Sequence, residues 1–286
     1  MQTITGIPEG WPTDEGAARA VQGALRGRAV LDETRPLPGS GHVTGIDVVY
    51  DDERDLVAAA AVVLDAATLD VVEEATAVGH VAFPCVPGLL AFREIPAVLG
   101  PVSKVASAVR RLARSPSLWS GDPQSTHQTP PGPPSGRTTP LSTQAPGALE
   151  ALRTDPGLVV CDGYGLARPR RFGLASHLGV LTGLPTIGVA KNPFAFTHAA
   201  PGRERGSAAA LLDGTEEAGR ALRTRADVKP VYVSVGHRVS LAHACAHTLA
   251  LTPAYRLPET TRRADRLCRD ALLELSPNGL SARPRP

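Results

Sequence analysis

The segment at residues 42–78, HVTGIDVVYDDERDLVAAAAVVLDAATLDVVEEATAV, contains the three apolar runs that decide the fold. The runs cover residues 42–50, 56–64 and 69–78, and the segments between them, which contain DDER and DAAT, are short enough for antiparallel hairpins. This pattern predicts a three-stranded antiparallel meander. Apolar residues at helical spacing predict an amphipathic helix before it, within residues 11–30.

The second half of the chain alternates between strands and helices. Three further strands are predicted, each from a short continuous apolar run of the kind that suits a strand covered on both faces. They lie at residues 157–161, 185–190 and 231–235. Helices are predicted at residues 87–114, 172–181, 240–250 and 259–275. A meander followed by β/α units predicts an α/β protein whose mixed sheet is flanked by helices on both faces.

Composition separates a globular domain from two segments with little to bury. With 42% hydrophobic and 20% charged residues, the 286-residue chain is close to globular averages, which excludes a coiled coil and collagen. Residues 115–147 are mostly Pro, Ser, Thr, Gln and Gly and cannot offset the entropy cost of ordering, so we predict a disordered insertion there. A disordered tail is predicted at residues 276–286. Residues 1–114 and 148–275 are expected to form one domain.

Charge, cysteine content and hydropathy limit the function classes. The 30 Lys and Arg residues against 28 Asp and Glu residues exclude a domain that is basic all over, although local basic patches for nucleic acid are compatible with this balance. The four cysteines are far apart, which argues against a disulfide framework or a structural zinc site. No apolar run approaches the roughly 18 residues that span a bilayer, and no signal peptide is recognisable. We therefore expect a cytoplasmic protein without membrane association, and a monomer by default.

Two carboxylates have unusual settings. Asp47 lies inside the apolar strand GIDVVY, and Asp162 follows the apolar run LVVC before the glycine-rich turn DGYG. A buried, ionised carboxylate is costly unless it is paired or bound to a metal. Either acid alone is compatible with a loop cap or a partner for an arginine. Together, at strand ends of an α/β sheet, they indicate a functional site.

Glu94, in the segment FPCVPGLLAFRE, is a third candidate, because Pro84 and Pro87 make a stiff loop that leads into its helix. Spacing alone favours a different interpretation, a solvated glutamate on the helix face that pairs with Arg93. Three convergent carboxylates would form a hard-oxygen site suited to Mg²⁺ or Mn²⁺. Such a site serves phosphodiester hydrolysis best.

Basic residues accompany these acids. Lys191 follows the strand PTIGVA, and His237 ends the run SVGH. A lysine there can bind phosphate or support a nucleophilic water, and a histidine can ligate metal or position water, the alternative for each being a surface residue at a loop entrance. The loop ARPRR contributes Arg168, Arg170 and Arg171, which predict a grip on the phosphate backbone, with a solvated basic loop as the alternative.

In their order along the chain these segments resemble the endonuclease V family, the deoxyinosine-directed repair nucleases. The resemblance rests on the succession GIDVVY, FPCVPGLLAFRE, VVCDGYGLARPRRFGLASHLGVLTGLPTIGVAKNPF, VYVSVGHRVSL and YRLPETTRRAD. It implies a ribonuclease H-like fold and Mg²⁺-dependent cleavage of the second phosphodiester bond on the 3′ side of a deoxyinosine, leaving 3′-hydroxyl and 5′-phosphate ends. Some relatives prefer inosine in RNA.

The resemblance also implies roles for the candidate residues. Asp47 and Asp162 correspond to direct metal ligands, and Glu94 completes the acidic triad. Lys191 and His237 correspond to residues on the side of the water and the scissile phosphate. With all five present, the resemblance implies an active nuclease.

Two further parts of the family pattern concern the lesion base, which must be flipped out because a duplex hides its identifying edge. The first is a wedge that inserts beside the flipped base, and it corresponds to Pro84, Cys85, Val86 and Pro87 (the wedge loop). The second is a base pocket, lined in relatives largely by main-chain groups. Here the base pocket is expected near Gly88, Leu90, Gly163 and Gly173.

The chain departs from the family pattern at three positions. Cys85 replaces an aromatic residue at the tip of the wedge, and a thiol cannot stack in the gap left by the base, so weaker lesion affinity is expected. Arg168 replaces a histidine near the metal centre, where its charge either repels a cation or adds a phosphate contact. Tyr164 replaces a histidine in DGYG and is a milder change.

Three functions are compatible with these features. The first is a Mg²⁺-dependent endonuclease acting on deaminated adenine in nucleic acid. The second is a protein that binds inosine-containing or branched nucleic acid and cleaves it weakly or not at all. The third is a related ribonuclease H-like hydrolase with broader flap or mismatch specificity. Substitution of Asp47 distinguishes the first two, because only an enzyme has cleavage to lose.

Overall fold

The fold is built on one mixed β-sheet, seen in a computed structural model that describes residues 11–34, 36–81, 83–100, 147–194 and 196–275. Its strands are β1 (His42–Asp51), β2 (Leu56–Asp65), β3 (Val71–His80), β4 (Leu158–Asp162), β5 (Thr186–Ala190), β6 (Ala208–Asp213), β7 (Glu216–Leu222) and β8 (Val231–His237). The helices of the described residues are α1 (Glu15–Arg26), α2 (Ala91–Leu99), α3 (Leu174–Thr182), α4 (Leu241–Ala250) and α5 (Glu259–Glu274). A 3-10 turn covers Pro169–Arg171.

Strand direction determines which residues share an edge of the sheet. The order is β3-β2-β1-β4-β5-β8-β7-β6. Strands β1, β2 and β3 pair antiparallel, which confirms the predicted meander. Strand β4 pairs parallel with both β1 and β5, whereas β8 runs antiparallel to β5. The carboxyl ends of β1, β4 and β5 therefore lie at the same edge, and β8 ends at the opposite edge.

Helices cover both faces of the sheet. Helices α1, α2 and α3 pack on one face, where Leu25, Phe92 and Leu178 are fully buried. Helices α4 and α5 pack on the other face, through residues such as Ala244 and Cys268. The predicted mixed sheet flanked by helices, and with it the ribonuclease H-like fold class, is confirmed.

Helix α2 is shorter than the helix predicted at residues 87–114. It begins at Ala91 and ends at Leu99, and residues 101–114 lie outside the described part of the chain. Pro96 lies inside α2 and lacks the N–H that would otherwise bind the carbonyl of Phe92, four residues earlier. The indole Nε1–H of Trp11 donates to that carbonyl oxygen instead, at 2.9 Å. Trp11, which precedes α1, therefore supplies the hydrogen-bond donor that the proline lacks.

Helix α5 lies unusually close to β1. A Cβ atom at Gly45 would lie 2.2 Å from the carbonyl oxygen of Thr260, so any side chain at this position would push the helix away. On the next turns of the same helix, the Cys268 thiol donates to the carbonyl oxygen of Asp47 at 3.1 Å. The close approach brings the charged residues of α5 beside the middle of β1.

The hairpin of β6 and β7 was not predicted from the sequence. Its strands, AAALLD and EEAGRAL, are rich in small and charged residues, and neither has the β-branched and aromatic residues typical of strands. The available signal was the Asp213-Gly214 turn, because Gly214 has a φ of 62° that suits a tight hairpin. The hairpin extends the sheet at the edge beyond β8.

The insertion predicted at residues 115–147 lies outside the described residues except for Gly147, as does the tail predicted at 276–286. The residues on either side of the gap touch each other. A Cβ atom at Gly147 would lie 2.1 Å from the backbone nitrogen of Gly100, and Leu149 donates to the carbonyl of Val98 at 2.9 Å. The chain therefore leaves and re-enters the described structure at one point. No helix in the described ranges has the length and apolar character needed to cross a membrane.

Candidate active site

Asp47 and Asp162 meet because β1 and β4 are parallel neighbours. Ile46 pairs with Cys161 in the register, so the two acids that follow are adjacent at the same edge of the sheet. Asp47 is 7% exposed; its Oδ1 accepts a hydrogen bond from the backbone N–H of Val48 at 2.8 Å. Its Oδ2 is buried without a hydrogen-bond partner among the described residues. Burial, followed by the charge of Asp162, raises the pKa of Asp47 to about 8.

Helix α2 brings Glu94 to the same place. Glu94 is 8% exposed, and burial, with smaller contributions from the charges of Asp47 and Asp162, raises its pKa to about 8. Its neighbour Arg93 turns away and forms an ion pair with Asp52, at 2.8 Å. The interpretation of Glu94 as a solvated partner of Arg93 is therefore wrong.

Lys191 completes the edge because it follows β5, the next parallel strand. Its Nζ lies 2.6 Å from Oδ2 of Asp162. Burial opposes the charge on Lys191, but the hydrogen bond and the charge of Asp162 outweigh it and raise the pKa of the lysine. The lysine therefore neutralises part of the negative charge collected at this edge.

A fourth carboxylate, Asp265, comes from α5 and was not predicted. It lies on α5 one turn before Cys268, whose thiol donates to the carbonyl of Asp47, and its charge raises the pKa of Asp47 and of Lys191. A hydrogen bond from Arg269, at 2.9 to 3.0 Å, is the main reason that the pKa of Asp265 is lowered. We refer to Asp47, Glu94, Asp162 and Asp265 as the acidic cluster.

The sequence contained a weak signal for Asp265. It lies three residues before the buried Cys268 and four after the buried Thr261, so it flanks the inner face of α5. Because several arginines surround Asp265 in the sequence, its pattern is typical of a solvated, charged helix face. The closeness of α5 to β1 depends on Gly45, a tertiary contact that spacing does not reveal.

His237 is not part of this site, contrary to its predicted place beside the water and the scissile phosphate. It pairs with Thr186, at the start of β5, whereas Lys191 follows the other end of that strand. The prediction failed because β8 is antiparallel, so its carboxyl end lies at the opposite edge of the sheet. There the Nδ1 of His237 accepts a hydrogen bond from the backbone of Val30 at 3.2 Å, and burial lowers the pKa of the histidine to about 4.

A cavity opens directly beside the acidic cluster and contains all four residues predicted to form the base pocket. Its walls are Gly88, Leu90, Ala91, Glu94, Asp162, Gly163, Tyr164, Arg168, Gly173 and Leu174. Glycine is required at three of these positions. Gly88 and Gly163 have φ values of 82° and 140°, and a Cβ atom at Gly173 would lie 2.4 Å from the carbonyl oxygen of Tyr164. Three of the ten wall residues are therefore glycines, which leave the backbone accessible to a bound molecule, and Glu94 and Asp162 add two carboxylates to the wall.

The wedge loop borders this cavity on the outside. Pro84, Cys85 and Pro87 are exposed, whereas Val86 is partly buried and packs on the core. The loop passes through Gly88 into α2, so the exposed thiol of Cys85 and the buried carboxylate of Glu94 are carried by one continuous segment.

The three arginines of ARPRR have different surroundings. The Arg168 guanidinium lies 4.4 Å from the ring centroid of Phe194 and 5.6 Å from that of Tyr164, and its side chain lines the cavity. Its positive charge acts on Glu94 and opposes the rise in the pKa of that carboxyl group. Arg168 is therefore available to a bound molecule.

The other two arginines make internal contacts, and their contact with phosphates stays a prediction. Arg170 donates to the side chain of Gln22 and to the carbonyl oxygen of Gly88. Arg171 is 12% exposed, lies 3.5 Å from a carboxylate oxygen of Asp213 and donates to the carbonyl of Glu217, at 3.2 Å. These contacts tie the loop to the pocket wall on one side and to the β6–β7 hairpin on the other.

The acidic cluster suits a hard cation by its chemistry, since it offers carboxylate oxygens and no sulfur or imidazole. The buried Oδ2 of Asp47 has no hydrogen-bond partner among the described residues, and a cation would supply one. In the present geometry, no three His, Cys, Asp or Glu side chains of the described ranges are arranged to hold a metal ion. The ammonium group of Lys191 is paired with Oδ2 of Asp162, an oxygen that a cation would otherwise bind.

Known proteins resemble this chain in sequence and architecture. The profile of the family described as Endonuclease V matches residues 24–119 and 137–266. Endonuclease V of Streptomyces avermitilis is 62% identical over 272 residues, which cover 95% of this chain and 98% of that protein. A crystal structure of endonuclease V from that organism superposes with a TM-score of 0.74 and covers 94% of this chain and 97% of that one.

More distant structures have the same fold. The catalytic domain of human endonuclease V is 28% identical, with a TM-score of 0.67 over 91% of this chain and 96% of that one. Ciona intestinalis endonuclease V, crystallised with a 24mer DNA containing an inosine followed by a ribo-adenosine, is 24% identical, with a TM-score of 0.64 over 92% and 100% of the two chains. The matched ranges of the family profile contain the whole acidic cluster and Lys191. The chain therefore belongs to the endonuclease V family.

Proposed function

We propose that this chain is a Mg²⁺-dependent endonuclease that cleaves the second phosphodiester bond on the 3′ side of a deoxyinosine, leaving 3′-hydroxyl and 5′-phosphate ends. One observation carries the proposal. Glu94 and Asp162 belong both to the acidic cluster and to the wall of the base pocket, so a base held in the pocket lies beside the carboxylates. A site that joins base recognition to phosphodiester chemistry needs this arrangement.

The acidic cluster would hold the metal ion through Asp47, Asp162 and Glu94. A divalent ion bound there stabilises the developing charge on phosphate oxygens and lowers the pKa of a bound water. Mn²⁺ has the same preference for oxygen ligands and is a second candidate. Lys191, which is paired with Asp162, supplies a positive charge on the side where the scissile phosphate would lie.

The wedge loop and the base pocket would present the lesion. The stiff segment with exposed Pro84, Cys85 and Pro87 would fill the gap that a flipped base leaves, although a thiol contributes no stacking there. Arg168 is the arginine of its loop that is free to contact a phosphate near the pocket. The inosine-containing DNA bound by the Ciona intestinalis protein supports an inosine-containing strand as the substrate.

The test is cleavage of a labelled oligonucleotide containing one deoxyinosine against its deoxyadenosine twin, with Mg²⁺, with Mn²⁺ and with chelator. We expect a metal-dependent cut in the deoxyinosine strand alone, at the second bond on its 3′ side. An oligoribonucleotide with one inosine, at equal salt, measures the preference for RNA. A flap and a mismatched duplex measure any broader specificity.

Asp47→Asn is the matched variant for this test. It replaces one carboxylate oxygen of the acidic cluster by an amide nitrogen that cannot bind a cation, while keeping the shape of the side chain, and we expect cleavage to be lost while binding to the deoxyinosine strand is retained. If the unmodified chain binds the lesion but does not cut it with either ion, the proposal is overturned in favour of a binding protein.

A further inference from the structure

The base pocket has two walls that come from different parts of the chain. One wall is the segment around Gly88, which follows the wedge loop, and the other is the segment around Gly173, which follows the ARPRR loop. No strand pairing joins these two walls directly. Their separation must therefore be set by side chains.

Gln22 on α1 bonds to both walls. It is 1% exposed, and its amide nitrogen donates to the carbonyl oxygen of Gly88 at 3.2 Å and to that of Phe172 at 2.6 Å. Each carbonyl belongs to a planar peptide unit, so the two bonds fix the orientation of the Gly88–Leu89 and Phe172–Gly173 peptides. A single buried amide thus connects the two backbone segments that line the pocket.

Arg170 holds Gln22 in this orientation. Its Nε donates to the side-chain oxygen of Gln22, and its Nη2 donates to the carbonyl oxygen of Gly88 at 3.1 Å. Arg170 itself has a φ of 63°, a conformation that costs free energy for a residue other than glycine and persists only where surrounding contacts maintain it. We call these two residues the Gln22–Arg170 clamp.

We propose that Gln22 and Arg170 are positioning residues that set the distance between the walls of the base pocket, and so determine how well the pocket distinguishes hypoxanthine from adenine. The inference rests on the proposed function. Main-chain N–H groups can read the 6-oxo group of hypoxanthine, and main-chain carbonyls its N1–H, only if their positions are fixed, because hydrogen bonds weaken steeply with misalignment. Gln22 lies before the first residue matched by the family profile, so the role is read from its contacts in this chain.

The experiment measures binding, with Ca²⁺ in place of Mg²⁺, to a single-stranded oligonucleotide with one deoxyinosine and to its deoxyadenosine twin. The quantity of interest is the ratio of the two dissociation constants. In Gln22→Leu and in Arg170→Met we expect this ratio to fall about tenfold, as the loss of one or two hydrogen bonds implies, while affinity for the twin is unchanged. Because both residues act on the carbonyl of Gly88, the double variant should lose no more than the worse single variant.

Val21→Ala is the matched control. Val21 is fully buried beside Gln22 on α1, and its apolar side chain cannot donate a hydrogen bond to the carbonyls of Gly88 and Phe172, so its truncation lowers stability without removing either hydrogen bond to the pocket walls. The midpoint of thermal unfolding, measured for each variant, separates stability from selectivity. We expect the control to keep the selectivity of the unmodified chain even where its midpoint falls as far as that of Gln22→Leu. Arg170→Met serves if Gln22→Leu does not fold, since it opens no buried cavity.

Two results would overturn the inference. Selectivity retained in both clamp variants would show that the pocket walls hold their positions without the clamp. An equal loss of affinity for both oligonucleotides in Arg170→Met, with a shallower dependence on salt, would show that Arg170 contacts phosphate instead. Failure of the proposed function looks different, because the unmodified chain would then leave the deoxyinosine strand uncut with Mg²⁺ and with Mn²⁺, or would bind both oligonucleotides equally well.

Discussion

Asp265 lies at the meeting point of two charge networks. It accepts hydrogen bonds from Arg269 on its own helix, and its charge acts on Asp47 and Lys191 across the gap to the sheet. We predict that Asp265→Asn lowers the cleavage rate or the affinity for Mg²⁺ by about ten- to hundredfold, the range found when a group that orients metal ligands is removed. A Mg²⁺ titration of the cleavage rate measures both quantities.

Asp270→Asn is the control on the same helix, because Asp270 is exposed and pairs only with Arg266 in the part of the chain that the structure describes. It should behave like the unmodified chain. If Asp265→Asn is as active as Asp270→Asn, Asp265 contributes neither to metal binding nor to cleavage.

His177 makes the fold sensitive to acid. Its ring lies among Trp11, Phe92 and Phe172, and neither ring nitrogen has a hydrogen-bond partner among the described residues. Burial lowers the pKa of His177 to about 3. Below the ordinary pKa of histidine, His177 is therefore protonated in the unfolded chain but stays neutral in the folded chain. The free energy of unfolding consequently falls as the pH decreases toward 3.

We predict that the titration of His177 lowers the free energy of unfolding by about 2 kcal/mol between pH 7.5 and pH 5. His177→Leu should therefore show a smaller loss over that range, by about the same amount. Urea unfolding at the two pH values measures it. The partly buried His198, replaced by Gln, should leave the loss unchanged. An identical loss in His177→Leu would mean that the ring is protonated in the folded chain.

At the scale of elements, α2 depends on a residue outside it. Pro96 leaves the carbonyl of Phe92 without its helical donor, and the indole of Trp11 replaces that donor. We predict that Trp11→Phe, which keeps an aromatic ring but removes the N–H, costs about 1 to 3 kcal/mol because a buried carbonyl is left unpaired. Urea unfolding measures this cost.

The coupling between the two residues provides the control. In Pro96→Ala the helix can supply its own N–H to Phe92, so the additional cost of Trp11→Phe should shrink in that background. Additive costs in the double variant would show that the Trp11 hydrogen bond is unrelated to the proline.

The elements also show how far the sequence can be interpreted. The meander was predictable because three long apolar runs are separated by short polar turns, whereas β6 and β7 have mixed composition at an edge of the sheet. Asp47, Asp162 and Lys191 were predictable as a group because they follow or lie in parallel neighbours. His237 follows a strand too, but sequence does not reveal strand direction, and antiparallel pairing with β5 takes it to the other edge. Asp265 could not be predicted because its place in the site depends on how closely α5 packs on β1.

At the scale of the whole molecule, the family profile leaves one internal segment outside its match. The profile skips residues 120–136, which lie within the segment between Gly100 and Gly147. We predict that deleting 120–136 changes the free energy of unfolding by no more than about 0.5 kcal/mol, since the cost of closing a segment varies slowly with its length. Cleavage of the deoxyinosine strand should be unchanged.

Urea unfolding and the cleavage assay, run side by side on the full and shortened chains, check this prediction. Retained stability with lost cleavage would assign the deleted residues to contact with the nucleic acid. A large loss of stability would show that they pack on the domain, which the composition argues against.

The contact between Gly100 and Gly147 has a practical consequence. The two backbones touch, and Ala148 and Leu149, which follow Gly147, are buried, so the core holds Gly100 and Gly147 next to each other. A reporter domain whose own termini lie close together can therefore be inserted between these two residues without disrupting the sheet. A fluorescent protein carried there would follow the nuclease on its substrate in real time while both chain termini stay free for immobilisation.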